Sequence, residues 1–142
     1  MEADRTPING LVLDASIALV WFLPDEESSL ADDVLRRLDG AKATVPDLFW
    51  HEMRNVLMTS YRRKRLSLAE VWHSMHRLDQ LSIITAAGSN NNDHILTLAE
   101  RHRLTAYDAA YLALALETKL PLATLDKQLI VAATQEDVPL LA

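Results

Sequence analysis

The chain contains no cysteine, which removes disulfides, zinc–thiolate centres and thiol nucleophiles from consideration. It has three glycines, Gly10, Gly40 and Gly88. They lie too far apart for a P-loop or a dinucleotide-binding turn, both of which cluster glycines around phosphate. Aromatic residues make up 6%, few for a surface that grips single strands by stacking. No apolar run approaches the ~20 residues needed to span a bilayer. Met1 to Gly10 lacks the basic-then-apolar order of a signal peptide. A cytoplasmic protein without a membrane role is therefore expected. Positive charge is also short: 14 Lys and Arg stand against 20 Asp and Glu, a formal net charge of −6. That speaks against binding nucleic acid through bulk charge. It leaves open a nuclease, because catalytic metal ions need carboxylates and bring positive charge of their own.

What is present reads as globular. Of 142 residues, 49% are hydrophobic and 24% charged, enough to bury a core without staples. No repeat, low-complexity segment or linker divides the chain, so one domain over 1–142 is expected. Short apolar runs alternate with amphipathic segments. Leu11–Leu13 reads as a strand ending at Asp14, and Ala15–Phe22 as a helix stopped by Pro24. A second helix starts around Asp25–Ser28, carries Leu30, Val34, Leu35 and Leu38 at helical spacing, and ends at Asp39-Gly40. Ala43–Val45 reads as a strand. A long helix from about Asp47 to Lys64 has the apolar stripe Phe49, Met53, Val56, Leu57 and Tyr61. Ser67 and Glu70 form a capping box for a helix reaching Gln80, and Leu81–Ile84 reads as a third strand. Asn90–Asp93 opens a helix ending near His102. Thr105–Asp108 opens another, down to Glu117, that is apolar on nearly every side and so is expected to be central. Leu120–Thr124 is a fourth strand, a short helix follows Asp126, and Val138–Leu141 is a candidate edge strand. The alternation predicts an α/β fold: a mostly parallel sheet of four or five short strands with helices on both faces.

Four acids stand apart from the solvated helix faces. Asp14 and Asp126 each follow a strand, at the rim where open parallel sheets bind ligands. Asp108 opens the apolar helix, and Glu52 lies early in a long helix beside Phe49 and Val56. Each has a plainer reading. Asp14 and Asp126 are good N-caps, Thr105 and Asp108 form a variant capping box, and Glu52 suits the helix dipole. Converging on one rim, however, the four would repel one another and be costly to desolvate. A divalent cation resolves that conflict: Mg²⁺ takes a few carboxylates, waters and phosphate oxygens, and such ions serve phosphodiester cleavage.

Three segments carry a family resemblance: Leu11–Glu26 (LVLDASIALVWFLPDE), Val45–Leu57 (VPDLFWHEMRNVL) and Leu104–Leu129 (LTAYDAAYLALALETKLPLATLDKQL). In that order they resemble PIN-domain ribonucleases of the VapC toxin type, with residues 1–8 a short N-terminal extension. The resemblance implies a Mg²⁺- or Mn²⁺-dependent endoribonuclease, a homodimer, held inactive by a cognate antitoxin protein. It matches the family's acids to Asp14, Glu52, Asp108 and Asp126. The first three are the expected direct metal ligands, and Asp126 serves a second ion or a metal-bound water. Asn55 follows the helix Glu, and Ser16 and Thr124 match small hydroxyl residues near such sites. RNA ends carrying 5′-phosphate and 3′-hydroxyl are expected. His51 and Arg54 depart from the smaller residues usual beside the helix Glu. Relatives also use the region of the second helix as part of an antitoxin groove.

Other signals have two readings each. Arg62–Arg65 is either an RNA-steering patch or a helix C-terminus whose dipole favours cations. His51-Glu52 begins a zincin motif but lacks its second histidine, since Asn55 stands there. His73 and His76 are one turn apart, as ligands or as a solvated face. Trp21, Trp50 and Trp72 are stacking or packing residues. Two competing functions remain. One is a non-catalytic binding module in which the acids only cap helices. The other is a haloacid-dehalogenase-type phosphatase, which needs a second Asp two residues after Asp14, where Ser16 stands.

Overall fold

The computed structural model describes residues 10–86 and 91–141. The extension at 1–8 and the residue Asn90 lie outside that set. The elements in chain order are β1 (Gly10–Leu13), α1 (Ala15–Phe22), α2 (Ser29–Arg37), β2 (Lys42–Val45), α3 (Leu48–Arg62), α4 (Leu68–Gln80), β3 (Ile83–Thr85), α5 (Asn92–His102), α6 (Ala106–Thr118), β4 (Leu122–Ala123) and α7 (Lys127–Gln135). The predicted alternation is borne out, with shifts of a few residues at the ends.

The four strands form one parallel sheet in the order β3-β2-β1-β4. β1 is central and every residue in it is buried, which accounts for its uninterrupted apolar run. The chain steps one way from β1 to β2 to β3, then crosses back to place β4 on the other side of β1. Parallel crossovers are right-handed, so that reversal sends α1–α4 to one face and α5 and α6 to the other. The packing agrees: α1 meets α2 and α3, and α3 meets α4, whereas α6 meets α5, α7, β1 and β4. Being contacted on several sides, α6 buries six residues from Ala109 to Ala115, as its all-round apolar sequence predicts.

Several expectations are refined. The strand expected at Val138–Leu141 is reduced to a single parallel bridge, Leu122 to Leu140, in which Leu122 N–H donates to Pro139 O at 2.9 Å and Leu141 N–H donates to Leu122 O at 3.0 Å. Tyr61, placed on the α3 stripe, is exposed, and Ser60 takes the buried position instead. Of the α2 stripe, Val34 and Leu38 are buried while Leu30 and Leu35 are half-buried. The capping box at Ser67 and Glu70 is present in both directions, at 2.8 and 3.0 Å. Trp21 and Trp50 pack and spend their indole N–H groups on Ala31 O and Thr85 Oγ1, so neither is a free stacking platform. Trp72 is 61% exposed, with His76 tilted against its ring. No helix of the described residues is long and apolar enough to cross a membrane.

A glycine-poor chain must end its helices some other way. Lys64, Arg103 and Lys119 take positive φ, 62°, 54° and 59°, where glycine is the usual residue. Arg103 and Lys119 are the C-caps of α5 and α6. Lys64 closes α3 by donating its N–H to Tyr61 O at 2.9 Å, which favours the helix-end reading of Arg62–Arg65. A side chain in this region costs about 1 kcal/mol against glycine. Exposed Lys119→Gly is therefore expected to stabilise the fold by roughly that amount. Urea unfolding checks this, and no gain would show that the lysine side chain contributes something the backbone geometry does not reveal.

Candidate active site

The reversal of strand order places a crevice at the carboxyl ends of β1 and β4, where open α/β sheets receive ligands. The register pairs Leu13 with Ala123, so the next residues, Asp14 and Thr124, face each other across the rim. The ladder continues one step: Asp14 N–H donates to Ala123 O at 3.0 Å. Asp14 is only 5% exposed. It occupies the N-cap position of α1, yet its side chain makes no capping bond. Ser16 Oγ and Thr124 Oγ1 both donate to its Oδ2, each at 2.6 Å.

Those hydroxyls are held in turn. Leu125 N–H donates to Ser16 Oγ at 2.9 Å, and Asp126 N–H donates to Thr124 Oγ1 at 3.0 Å. With backbone donors on the oxygens, both hydroxyl protons point at Asp14. Ser16 and Thr124 thus hydrogen-bond the Asp14 carboxylate, one of the partners expected for them.

The other acids arrive from three helices. Glu52 lies in the second turn of α3, next to buried Met53. Asp108 sits in the first turn of α6, where its N–H donates to Thr105 Oγ1 at 3.1 Å. Asp126 caps α7 through Oδ1, which accepts from Leu129 N–H at 3.0 Å. For Asp126 the capping reading is thus correct for one of its two oxygens.

One contributor escaped the sequence reading. Tyr111, fully buried on α6 one turn beyond Asp108, donates its hydroxyl to Glu52 Oε1 at 2.6 Å. The available signal was a tyrosine in a run of Ala and Leu, since a buried phenol needs a polar partner.

The four carboxylates share one electrostatic environment. Burial pushes the Asp14 carboxyl above its ordinary range, and the Asp126 charge pushes it further, against the pull of the Ser16 and Thr124 hydroxyls. Burial raises Glu52 too, with Asp14 and Asp108 adding repulsion against the Tyr111 hydrogen bond. Asp108 is raised by burial, then by Asp126 and Asp14. Every pair except Glu52 and Asp126 is thereby in electrostatic contact. Burial and the Glu52 carboxylate drive the Tyr111 hydroxyl far up, so it remains a donor. None of the ion pairs among the described residues reaches any of the four acids.

Arg54, two residues after Glu52 in the chain, bonds His51 at 3.1 Å, and His51 bonds Asp47 at 3.2 Å. Asn55 is exposed and lines a groove of about 350 Å³ with Leu48, His51, Glu52 and Tyr107. His73 and His76 are exposed on α4. Among the described residues no three His, Asp or Glu side chains form a ready-made metal cage. The donor chemistry still fits a hard cation. The acids offer only oxygen, they repel one another, and Mg²⁺ is commonly held by one or two carboxylates with waters completing its shell.

Comparison with known proteins follows the same line. The PIN domain family model matches residues 11–134, which contain all four acids. The chain is 32% identical over 125 residues to Ribonuclease VapC3 of Pyrobaculum aerophilum, covering 84% of this chain and 91% of that protein. In fold it is similar to PAE2754 from Pyrobaculum aerophilum, with TM-score 0.68 and 22% identity over 88% of this chain and 86% of the other. It is also similar to FitAcB from Neisseria gonorrhoeae, with TM-score 0.64 and 19% identity over 93% and 96%. A toxin–antitoxin complex from Klebsiella pneumoniae shares the fold at TM-score 0.58 and 19% identity over 82% and 86%. The chain belongs to the PIN-domain family, and within it to the VapC type.

Proposed function

We propose that the protein is a Mg²⁺- or Mn²⁺-dependent endoribonuclease and the toxin of a toxin–antitoxin pair. The observation that carries this reading is the electrostatic repulsion among Asp14, Glu52, Asp108 and Asp126 at one edge of the sheet, with no ion pair to any of them among the described residues. Such an arrangement is unfavourable as structure and useful as a metal site. The 32% identical relative bears the name ribonuclease, and one structural neighbour is a toxin–antitoxin complex.

Asp14, Glu52 and Asp108 would hold the ion directly. When bound, it would neutralise charge on the scissile phosphate and make a water more acidic. The chain's own residues do the positioning. Ser16, in the first turn of α1, and Thr124, just after β4, hold the Asp14 carboxylate through its Oδ2. Asp126, with Oδ1 spent on α7, would use its other oxygen for a second ion or a water. Attack by water on the phosphorus with the 3′ oxygen as leaving group would give 5′-phosphate and 3′-hydroxyl ends and requires no histidine pair.

A second groove, of about 600 Å³, is lined by apolar Val20, Trp21, Phe22, Leu35 and Leu81, with three acids, Glu26, Glu27 and Asp32, against one cation, Arg77. An apolar floor with an acidic rim suits a basic amphipathic segment, and an antitoxin of that character is proposed to occupy it. The homodimer and the cytoplasmic location remain part of the same reading.

Purified, antitoxin-free protein is expected to cut cellular RNA at discrete sites with Mg²⁺ or Mn²⁺ and not with EDTA. Asp14→Asn and Asp108→Asn are each expected to lower the rate by roughly a hundredfold or more while circular dichroism stays unchanged. Metal-dependent cutting that survives Asp14→Asn would refute the site. RNA affinity without cutting under any divalent ion would favour the binding module, and a trapped aspartyl-phosphate would favour the phosphatase.

The electrostatics also yield a stability test. An acid whose folded pKa is raised holds its proton more tightly when folded. Its stability contribution is therefore present at low pH and lost as pH rises through the folded value. In EDTA, Asp108→Asn is expected to melt higher than wild type at pH 8. That advantage should fade as pH falls toward the ordinary carboxylate value of ~4. Mg²⁺ should raise the wild-type Tm more than the variant's, because a ligand of the folded state stabilises it. Equal melting of the two proteins at pH 8 in EDTA would show that the acids do not strain the fold.

A further inference from the structure

Tyr111 has no part in the steps above, yet its hydroxyl is placed with care. The ring is buried on α6 with no exposed surface, and its hydroxyl donates to Glu52 Oε1, at 2.6 Å, on α3. A phenylalanine would fill the same space without requiring a buried polar partner. The hydroxyl therefore acts on Glu52. That carboxylate has the core on one side and, on the other, the groove lined by Leu48, His51, Asn55 and Tyr107. The hydrogen bond engages one of its two oxygens and leaves the other for a ligand.

We propose that Tyr111 is a positioning residue that restricts Glu52 to one-oxygen coordination and thereby sets the site's preference for Mg²⁺ over Ca²⁺. The physical basis is the different demand of the two ions. Mg²⁺ requires a near-ideal octahedron at short distance, which single carboxylate oxygens supply. Ca²⁺ takes six to eight oxygens and readily accepts both oxygens of one carboxylate. With a phenol proton on Oε1, engaging both oxygens competes with a buried hydrogen bond. This inference rests on the metal-site reading above.

The test is calorimetric titration of the full, antitoxin-free chain with MgCl₂ and CaCl₂, separate from any RNA assay. Tyr111→Phe is expected to weaken Mg²⁺ binding roughly tenfold, the scale of losing a residue that orients a ligand, and to weaken Ca²⁺ less. The Mg²⁺/Ca²⁺ affinity ratio then falls. Tyr61→Phe, exposed on α3, is the control and leaves the ratio unchanged. Equal weakening of both ions in Tyr111→Phe would mean general loosening and overturn the proposal, as would no change in either.

Should Tyr111→Phe fail to fold, Glu52→Asp shortens the carboxylate out of reach of the phenol and is expected to lower the ratio in the same direction. An unchanged ratio there also overturns the proposal. Wild type that binds neither ion would sink the metal-site reading itself. Wild type that binds Mg²⁺, with an unaltered ratio in the variants, sinks only the role of Tyr111.

Discussion

The site depends on the hydrogen bonds that tie Asp14 to the far side of the sheet's reversal point. Two hydroxyls donate to one oxygen of a carboxylate that is almost fully buried. Each hydroxyl oxygen also accepts a backbone N–H from the loop after β4. Burial penalises a charge heavily, and hydrogen bonds to the charged form offset part of that penalty. The loop after β4 cannot move without unsatisfying Asp14, nor can Asp14 change rotamer without freeing the loop. A residue at an N-cap position is in this way diverted from capping to joining two chain segments far apart in sequence.

Everything else at the rim is positioned relative to that joint. The sheet order brings β1 and β4 together although more than a hundred residues separate them. The opposite-face placement of α6 then brings Asp108 to the crevice from one side, while α3 brings Glu52 from the other. Tyr111 closes the circuit between those two helices. Because α6 touches α5, α7, β1 and β4, its middle from Tyr111 to Ala115 has no solvent face, and its exposed residues are at its two ends. The polar groups it carries at its start and at Tyr111 are both spent on the rim.

Most of this was legible in the sequence, for identifiable reasons. The strands were short and apolar, and their ends were marked by Asp14 and Asp126. The capping box at Ser67 and Glu70 has a strict spacing and required no tertiary information. The four acids were singled out because an acid at a strand end or beside buried apolar residues needs an explanation. What the sequence concealed depends on contacts between distant segments. The choice of Ser60 over Tyr61 for burial follows from how α3 and α4 pack. The reach of the Tyr111 hydroxyl to Glu52 spans 59 residues. The positive-φ helix ends at Arg103 and Lys119 carried no glycine to announce them. The basic run at Arg62–Arg65 was ambiguous until Lys64 proved to be a left-handed helix end.

A net charge of −6 and the proposed RNA substrate are reconciled if the two act at different distances. At long range, screening over a Debye length of about 8 Å weakens the repulsion between an acidic protein and phosphate. At short range the balance is set locally. Uncompensated carboxylates repel a phosphate, whereas the same carboxylates holding a divalent ion attract it. The acidity that makes bulk RNA binding poor is thus partly the acidity that would make the site work. Binding and catalysis would then be gated by the same ion, so an RNA would be held firmly only where cleavage is possible. An inhibitor that brings its own cation to the rim would satisfy the same carboxylates without the metal. For such a site, competition for four acids is a more direct control than any change of fold.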